Sequence, residues 1–272
     1  DNPEEHDTTV RLSETGRSEL SITSRYFGAS GVRARGQYAG FTPANARKLW
    51  QGFLGQQYGG GSLESCEVTP STELAEPFET RIKATGVPFG AVSDAEALVQ
   101  VFPGSILERL PFVFRMKVDE TAVEEARERE HPLVLPERHV TEMRWRIEPP
   151  RGYKPVGLPE NWTRRAGCLT LAQRIEADPL RGVTVAFRLD TGDGRLTGAE
   201  VEEARKFIVE LLEGEGWQLT LRFEHTAQRQ LLAGRVQEAL AEFRRLSEGK
   251  PGSASGHSRY ALALASAGFG AA

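Results

Sequence analysis

The sequence predicts a mostly β protein with α: an antiparallel β-sandwich with one or two packed helices, then a C-terminal helical-repeat segment of tetratricopeptide type. Three observations predict it. Short runs with a two-residue apolar period recur through residues 1–222, as half-buried antiparallel strands require. Two stretches within that span switch to the 3.6-residue period of a helix. The last fifty residues shift to Ala, Leu, Arg, Glu and Gln and repeat at an interval of 34, the tetratricopeptide period.

Residues 1–42 alternate weakly. Leu20–Phe27 reads as a strand ending at Gly28, and Gln37–Phe41 as a weaker one. Thr42 then offers an N-cap and Pro43 suits a first helical turn. Ala46, Leu49, Trp50, Phe53, Leu54 and Tyr58 fall on one apolar stripe, which reads as core. Gly59-Gly60-Gly61 stops that helix; it has neither the lysine nor the strand context of a phosphate loop. Leu63–Thr69, Phe78–Thr85 and Pro111–Val118 read as strands, with a short helix expected at Asp94–Val99.

The mixed charge run Glu120–Glu130 reads as a solvated loop or short helix. Val140–Glu148 alternates cleanly, with Val140, Glu142, Arg144 and Arg146 on one side and Thr141, Met143, Trp145 and Ile147 on the other. Gly167–Ile175 and Val183–Leu189 follow as strands, with a turn at Asp190–Gly194. Thr197 and Glu200 form a capping box for a helix whose apolar face is Val201, Ala204, Ile208, Leu211 and Leu212. The domain reading is a β region over 1–222, with a subdomain boundary near 95–125, and helices over 223–272.

In those helices Ala227 and Ala261 are 34 apart, as are Ala233-Gly234 and Ala267-Gly268. Gly234 falls in the inter-helix turn. Ala239 and Phe243 stand where such a repeat wants a small residue and an aromatic, because paired helices approach closely. A repeat and a half cannot bury its own faces, so further repeats, the β region or a partner must cover them.

Composition narrows the function. Of 272 residues, 39% are hydrophobic and 26% charged, enough to bury a core. A net charge of −4 lends nothing to nucleic-acid binding, and no apolar window is long enough to span a bilayer. Two cysteines, Cys66 and Cys168, exclude a disulfide scaffold and a four-cysteine zinc site. The chain starts at Asp1 with no leader pattern and stops inside a helical pattern, and it reads as part of a longer protein.

No catalytic or metal constellation emerges. Cys168 sits in a strand context with no helix N-terminus to lower its pKa. His131 and His139 lack a third ligand. Asp190–Gly194 resembles a calcium loop, but Gly192, Gly194 and Val201 occupy positions that need oxygen ligands. One candidate binding set is left: Arg144, Trp145, Arg146, Tyr153 and Trp162, where basic and aromatic residues interleave as a polyanion or glycan surface would.

Arg129-Glu130-His131-Pro132-Leu133, Pro150-Arg151-Gly152-Tyr153, Leu158-Pro159 and the segment Ala199–Phe207 resemble a bacterial family. Its members are large, exported proteins with a transglutaminase-like core, flanking β-sandwich domains of unknown function and, often, tetratricopeptide repeats. The resemblance covers most of residues 1–222. It makes Asn2–Thr9 a polar linker after the catalytic core and places this chain downstream of that core, in a periplasmic or envelope setting. It implies a non-catalytic accessory module with a protein partner reached through the C-terminal helices, and no cofactor. The alternatives are a cysteine-dependent acyltransferase or hydrolase using Cys168, or a carbohydrate-binding sandwich.

Overall fold

The computed structural model describes residues 3–14, 16–107, 110–115, 131–178, 182–213, 218–248 and 254–268. Within them the protein is mostly β, with six α-helices among the described residues. An eight-stranded sheet contains β1 (Pro3–Arg11), β2 (Ser18–Tyr26), β3 (Ser62–Val68), β4 (Phe78–Val87), β8 (Val140–Glu148), β10 (Trp162–Ala166), β11 (Leu169–Asp178) and β12 (Gly182–Asp190). Its order is β10-β11-β12-β8-β1-β2-β4-β3. A four-stranded sheet runs β5 (Ala91–Val92), β6 (Glu96–Val101), β14 (Leu219–His225), β9 (Tyr153–Val156). Two short strands, β7 (Leu133–Val134) and β13 (Arg195–Leu196), pair separately. Every neighbouring pair is antiparallel except β1 and β8, which run parallel at the centre of the large sheet.

Alternation decides which face is dry. On β8, Trp145 and Ile147 are buried while Arg144 and Arg146 are exposed, the division the two-residue period dictates. Trp145 meets Phe187 of β12 edge to face at 5.9 Å. One hydrophobic cluster takes in Val10, Ile82 and Phe187 of the large sheet and Val99, Leu221 and Phe223 of the small one. The opposite face of the large sheet is a lattice of cross-strand ion pairs. Arg144 reaches Asp7 at 2.9 Å, Arg25 reaches Glu79 at 2.7 Å, and Arg11 bridges Glu19 and Glu148 at 2.8 and 3.0 Å.

Helix α1 (Gly28–Tyr38) and helix α2 (Pro43–Tyr58) follow β2. Thr42 caps α2 by accepting the Asn45 N–H at 3.2 Å, and Gly59 ends it at φ 75°. Helix α3 (Gly198–Glu213) carries the expected capping box: Glu200 donates its N–H to Thr197 Oγ1, and Thr197 donates its own to Glu200 Oε2 at 2.8 Å. Its buried face is Val201, Ala204, Ile208 and Leu211; Leu212 lies outside it, exposed. Thr197→Ala removes one half of the box. Thermal melting should show a loss of about 1 kcal/mol, and an unchanged midpoint would contradict the cap.

Four readings of the sequence are corrected. Gln37–Phe41 is no strand: residues 37 and 38 close α1. Asp94–Val99 is not a helix but the approach to β6 and most of it. Phe112–Phe114, within the expected strand Pro111–Val118, is a 3-10 turn, and residues 116–118 lie outside the described residues. Asn2–Thr9 is not a linker, because residues 3–11 form β1, flanked on both sides by strands. The charge run 120–130 lies outside the described residues.

Candidate functional site at the C-terminal helices

Strand β14 leads directly into helix α4 (Thr226–Leu232), helix α5 (Val236–Glu248) and helix α6 (Ala254–Ser266). Gly234, at φ 75°, folds α5 back on α4, and Gly268, at φ 82°, follows α6 in the same way. Ala227, Ala239, Leu240, Phe243 and Ala263 form a second, smaller hydrophobic cluster. The small residues at 227 and 239 allow close helix approach, and Phe243 fills the layer between helices and sheet.

His225 is the joint. Its backbone N–H bonds Ala95 O at 2.8 Å, which anchors the end of β14. Its Nδ1 accepts the Gln228 N–H at 3.3 Å, capping α4. That acceptor role places the proton of the neutral ring on Nε2. The ring stacks on Phe243 at 5.3 Å and meets Tyr153 edge-on at 4.9 Å. Burial is the main reason its pKa falls to about 4, and the Arg259 charge adds to it against the opposing pull of Glu242 and Asp94.

A second fastening comes from α6. The Arg259 guanidinium pairs with Asp94 at 3.0 Å and lies 5.9 Å from the ring centre of Tyr153. The Tyr153 hydroxyl donates to Ser93 O, and burial pushes that phenol up. Glycine is required at 152: φ is 84°, and a Cβ there would stand 2.8 Å from Leu246 and 3.0 Å from His225 Nε2. Glu14, Arg151, His225, Phe243, Leu246 and Arg259 line a small cleft of about 20 Å³ between helices and sheets. Chemically the pocket has two cations, one carboxylate and one neutral imidazole. It is a junction, in which His225 and Arg259 hold the helices.

The outer helix surface differs. On α6, Tyr260, Ala263 and Leu264 turn toward α5, while Ala261, Leu262 and Ala265 are exposed. Leu262 is 65% exposed and Leu232, at the end of α4, 77%. Ala227, 34 residues before Ala261, is fully buried beneath α5. Of these two alanines one is covered and the other open.

The sequence-derived binding residues do not converge. Trp145 lies in the core. Arg144 and Arg146 lie on the opposite, wet face of the same strand, with Arg144 already paired to Asp7. Tyr153 belongs to the other sheet, under Arg259. Trp162 sits on edge strand β10, half-buried, with the Arg164 guanidinium 5.9 Å from its ring. Cys66 and Cys168 are both free thiols. They belong to opposite margins of the eight-stranded sheet, Cys66 on β3 and Cys168 in the β10–β11 turn. Burial pushes the Cys168 thiol up, opposite to what a thiolate nucleophile needs. Among the described residues, no three His, Cys, Asp or Glu side chains gather as a metal site would require. No helix among them is long and apolar enough to cross a membrane.

Sequence reasoning missed His225, Arg259 and Asp94 as a unit, since they come together only through the docking of α6. The local signal was a polar residue one position before a helical period, the place of an N-cap.

No family model matches this chain, and no curated protein matches it. Among solved structures, a “putative protease” from Parabacteroides distasonis is similar over 48% of this chain and 24% of that one, at 16% identity and a TM-score of 0.30. A likeness that low carries no argument about fold or activity.

Proposed function

We propose that the chain is a non-catalytic interaction module whose C-terminal helices take a helical protein partner. On this reading the two sheets sharing one core are a β-sandwich, α4 and α5 are one tetratricopeptide-like unit, and α6 opens the next. The parent, on the family resemblance, is a transglutaminase-like envelope protein, with this part as a rigid mount for the helices.

One observation carries the reading. Ala227 is covered by α5, whereas its 34-residue counterpart Ala261 is exposed beside Leu262 and Ala265. A stripe of small and apolar side chains on an outer helix is the surface that a further helix covers elsewhere in this chain. The partner's matching face would carry a small residue and an aromatic four apart, as Ala239 and Phe243 do on α5.

The test uses the whole chain and a peptide with the sequence of residues 236–248. Fluorescence anisotropy should show the peptide binding the wild type and failing to bind Ala261→Glu with Ala265→Glu. Both positions are exposed, so the double variant should keep its melting temperature. Equal binding to both proteins, or none to either, ends this proposal. The carbohydrate reading has less support, because Trp145, Tyr153 and Trp162 do not share a face.

A further inference from the structure

An eight-stranded open sheet has two edges, and each exposes backbone N–H and C=O groups that can template another strand. Here the two edges are treated differently. The β3 edge is occupied by side chains from α2. Arg47 donates to Leu63 O at 3.1 Å and to Glu64 O at 3.4 Å, Gln51 donates to Gly61 O at 2.9 Å, and Leu63 N–H donates back to Gln51 Oε1 at 3.0 Å. The β10 edge has no strand beyond it among the described residues.

The register identifies which groups on β10 face outward. A two-residue turn, Gly167-Cys168, joins β10 to β11, and Ala166 stands opposite Leu169. In such a hairpin the pair flanking the turn is hydrogen-bonded, and bonded and non-bonded pairs then alternate. Ala166, Arg164 and Trp162 thus bond inward to β11. Thr163 and Arg165 direct their N–H and C=O groups away from the sheet.

Charge specifies the partner. Arg165 and Thr163 are on the wet face, opposite Thr170 and Ala172, and both are exposed. Arg164 stands on the other side of the strand, 52% exposed at its side chain and 3.7 Å from Glu210. The edge is thus flanked by a cation on each face, and among the described residues only Arg164 has an acidic neighbour within ion-pair distance. Two such edges repel, so a second copy of β10 is disfavoured. An incoming strand with carboxylates on alternate residues would meet Arg165, and one with carboxylates on both faces would meet both cations.

We propose that the β10 edge binds an acidic, extended peptide as an added antiparallel or parallel strand. The main-chain groups of Thr163 and Arg165 supply the ladder, and Arg164 and Arg165 supply the charge selection. This surface lies on the sheet, remote in sequence from α6, and does not depend on the helical proposal.

The probe is a synthetic eight-residue peptide alternating Glu and Val, with an otherwise identical Lys-Val peptide as control. Anisotropy should show the acidic peptide bound and the basic one not, with affinity falling as salt rises. Hydrogen exchange should slow at the Thr163 and Arg165 amides by about tenfold or more when the peptide is bound. Arg164→Glu with Arg165→Glu should weaken binding by about tenfold or more. Thr163→Pro removes one outward N–H at a position where an edge strand tolerates proline, and should also weaken it. Binding of both peptides alike, or of neither, overturns the proposal. So does acidic-peptide binding with those two amides unprotected, which would be a contact of charges alone. If Thr163→Pro fails to fold, the exchange measurement on the wild type still decides.

Discussion

Phe243→Ala should destabilise the C-terminal helices by about 3–4 kcal/mol, the usual range for deleting a buried aromatic. Phe243 is 3% exposed and is the largest side chain of the small cluster that holds α4, α5 and α6 together. Its ring also covers His225, so the substitution opens a cavity against an imidazole. Two readouts should separate. The helical circular-dichroism transition should move to lower urea, while the fluorescence of Trp145, which is packed on Phe187 in the β core, should move little. In the same variant water gains access to His225, and its pKa should climb from about 4 toward the ordinary value near 6.5. A loss under about 1 kcal/mol with an unchanged histidine titration would mean that Phe243 does not seal the joint.

Much of the fold was legible because it is written in local pattern. The ends of α2 follow from Thr42, Pro43 and Gly59, each acting on backbone groups within a few residues. The division of β8 into wet and dry faces follows from alternation alone. The start of α3 follows from Thr197 and Glu200. The failures have physical causes too. Strand β1 gives no apolar period because the dry side of its first half is Glu4, His6 and Thr8; Glu4 and Thr8 are buried polar residues, and His6 bonds Ser24 Oγ at 2.9 Å. Those positions are fixed by pairing with β2 and with β8, and β8 is more than 130 residues away.

The short helix expected at Asp94–Val99 fails just after Ser93. The Ser93 hydroxyl accepts the N–H groups of Ala95 and Glu96 at 3.4 and 3.1 Å, as an N-cap would. Yet it opens a turn into β6, and the true signal was the alternation of Ala97, Val99 and Val101. Helix α1 has poor intrinsic helix formers in Gly28, Gly31 and Gly36. Its placement owes much to tertiary contact: Arg35 donates to the carbonyl oxygens of Glu73 and Glu76, and Gly31 lies so close to Tyr26 O that a Cβ would stand 2.8 Å away. The junction was the least legible part. Its groups come from residues near 14, 94, 152, 225 and 259, and no window of sequence holds two of these stretches.

That junction makes acidification the other large effect. His225 titrates near 4 in the folded chain against about 6.5 in an unfolded one. The unfolded chain takes up the proton first, so the fold loses stability as pH falls from 6.5 toward 4, is fully stabilised by this group above 6.5, and loses nothing more from it below 4. The loss approaches about 3 kcal/mol. The main cause is burial of the new charge, and Arg259 adds to it; a protonated Nδ1 also can no longer accept the Gln228 N–H. Glu242 acts in the same sense but at lower pH. Its hydrogen bond to Arg245 holds its pKa below the usual value, so the stability it adds is present above about 4.5 and fades only as the pH drops further. Urea titrations at pH 7, 6, 5 and 4 should therefore show most of the helical loss above pH 4.5. His225→Asn keeps a capping oxygen and removes the titrating ring, so its stability should be lower at pH 7 and nearly flat over that window. A wild-type profile as flat as that of His225→Asn would show that the imidazole is solvated, and that the helices are not docked over it.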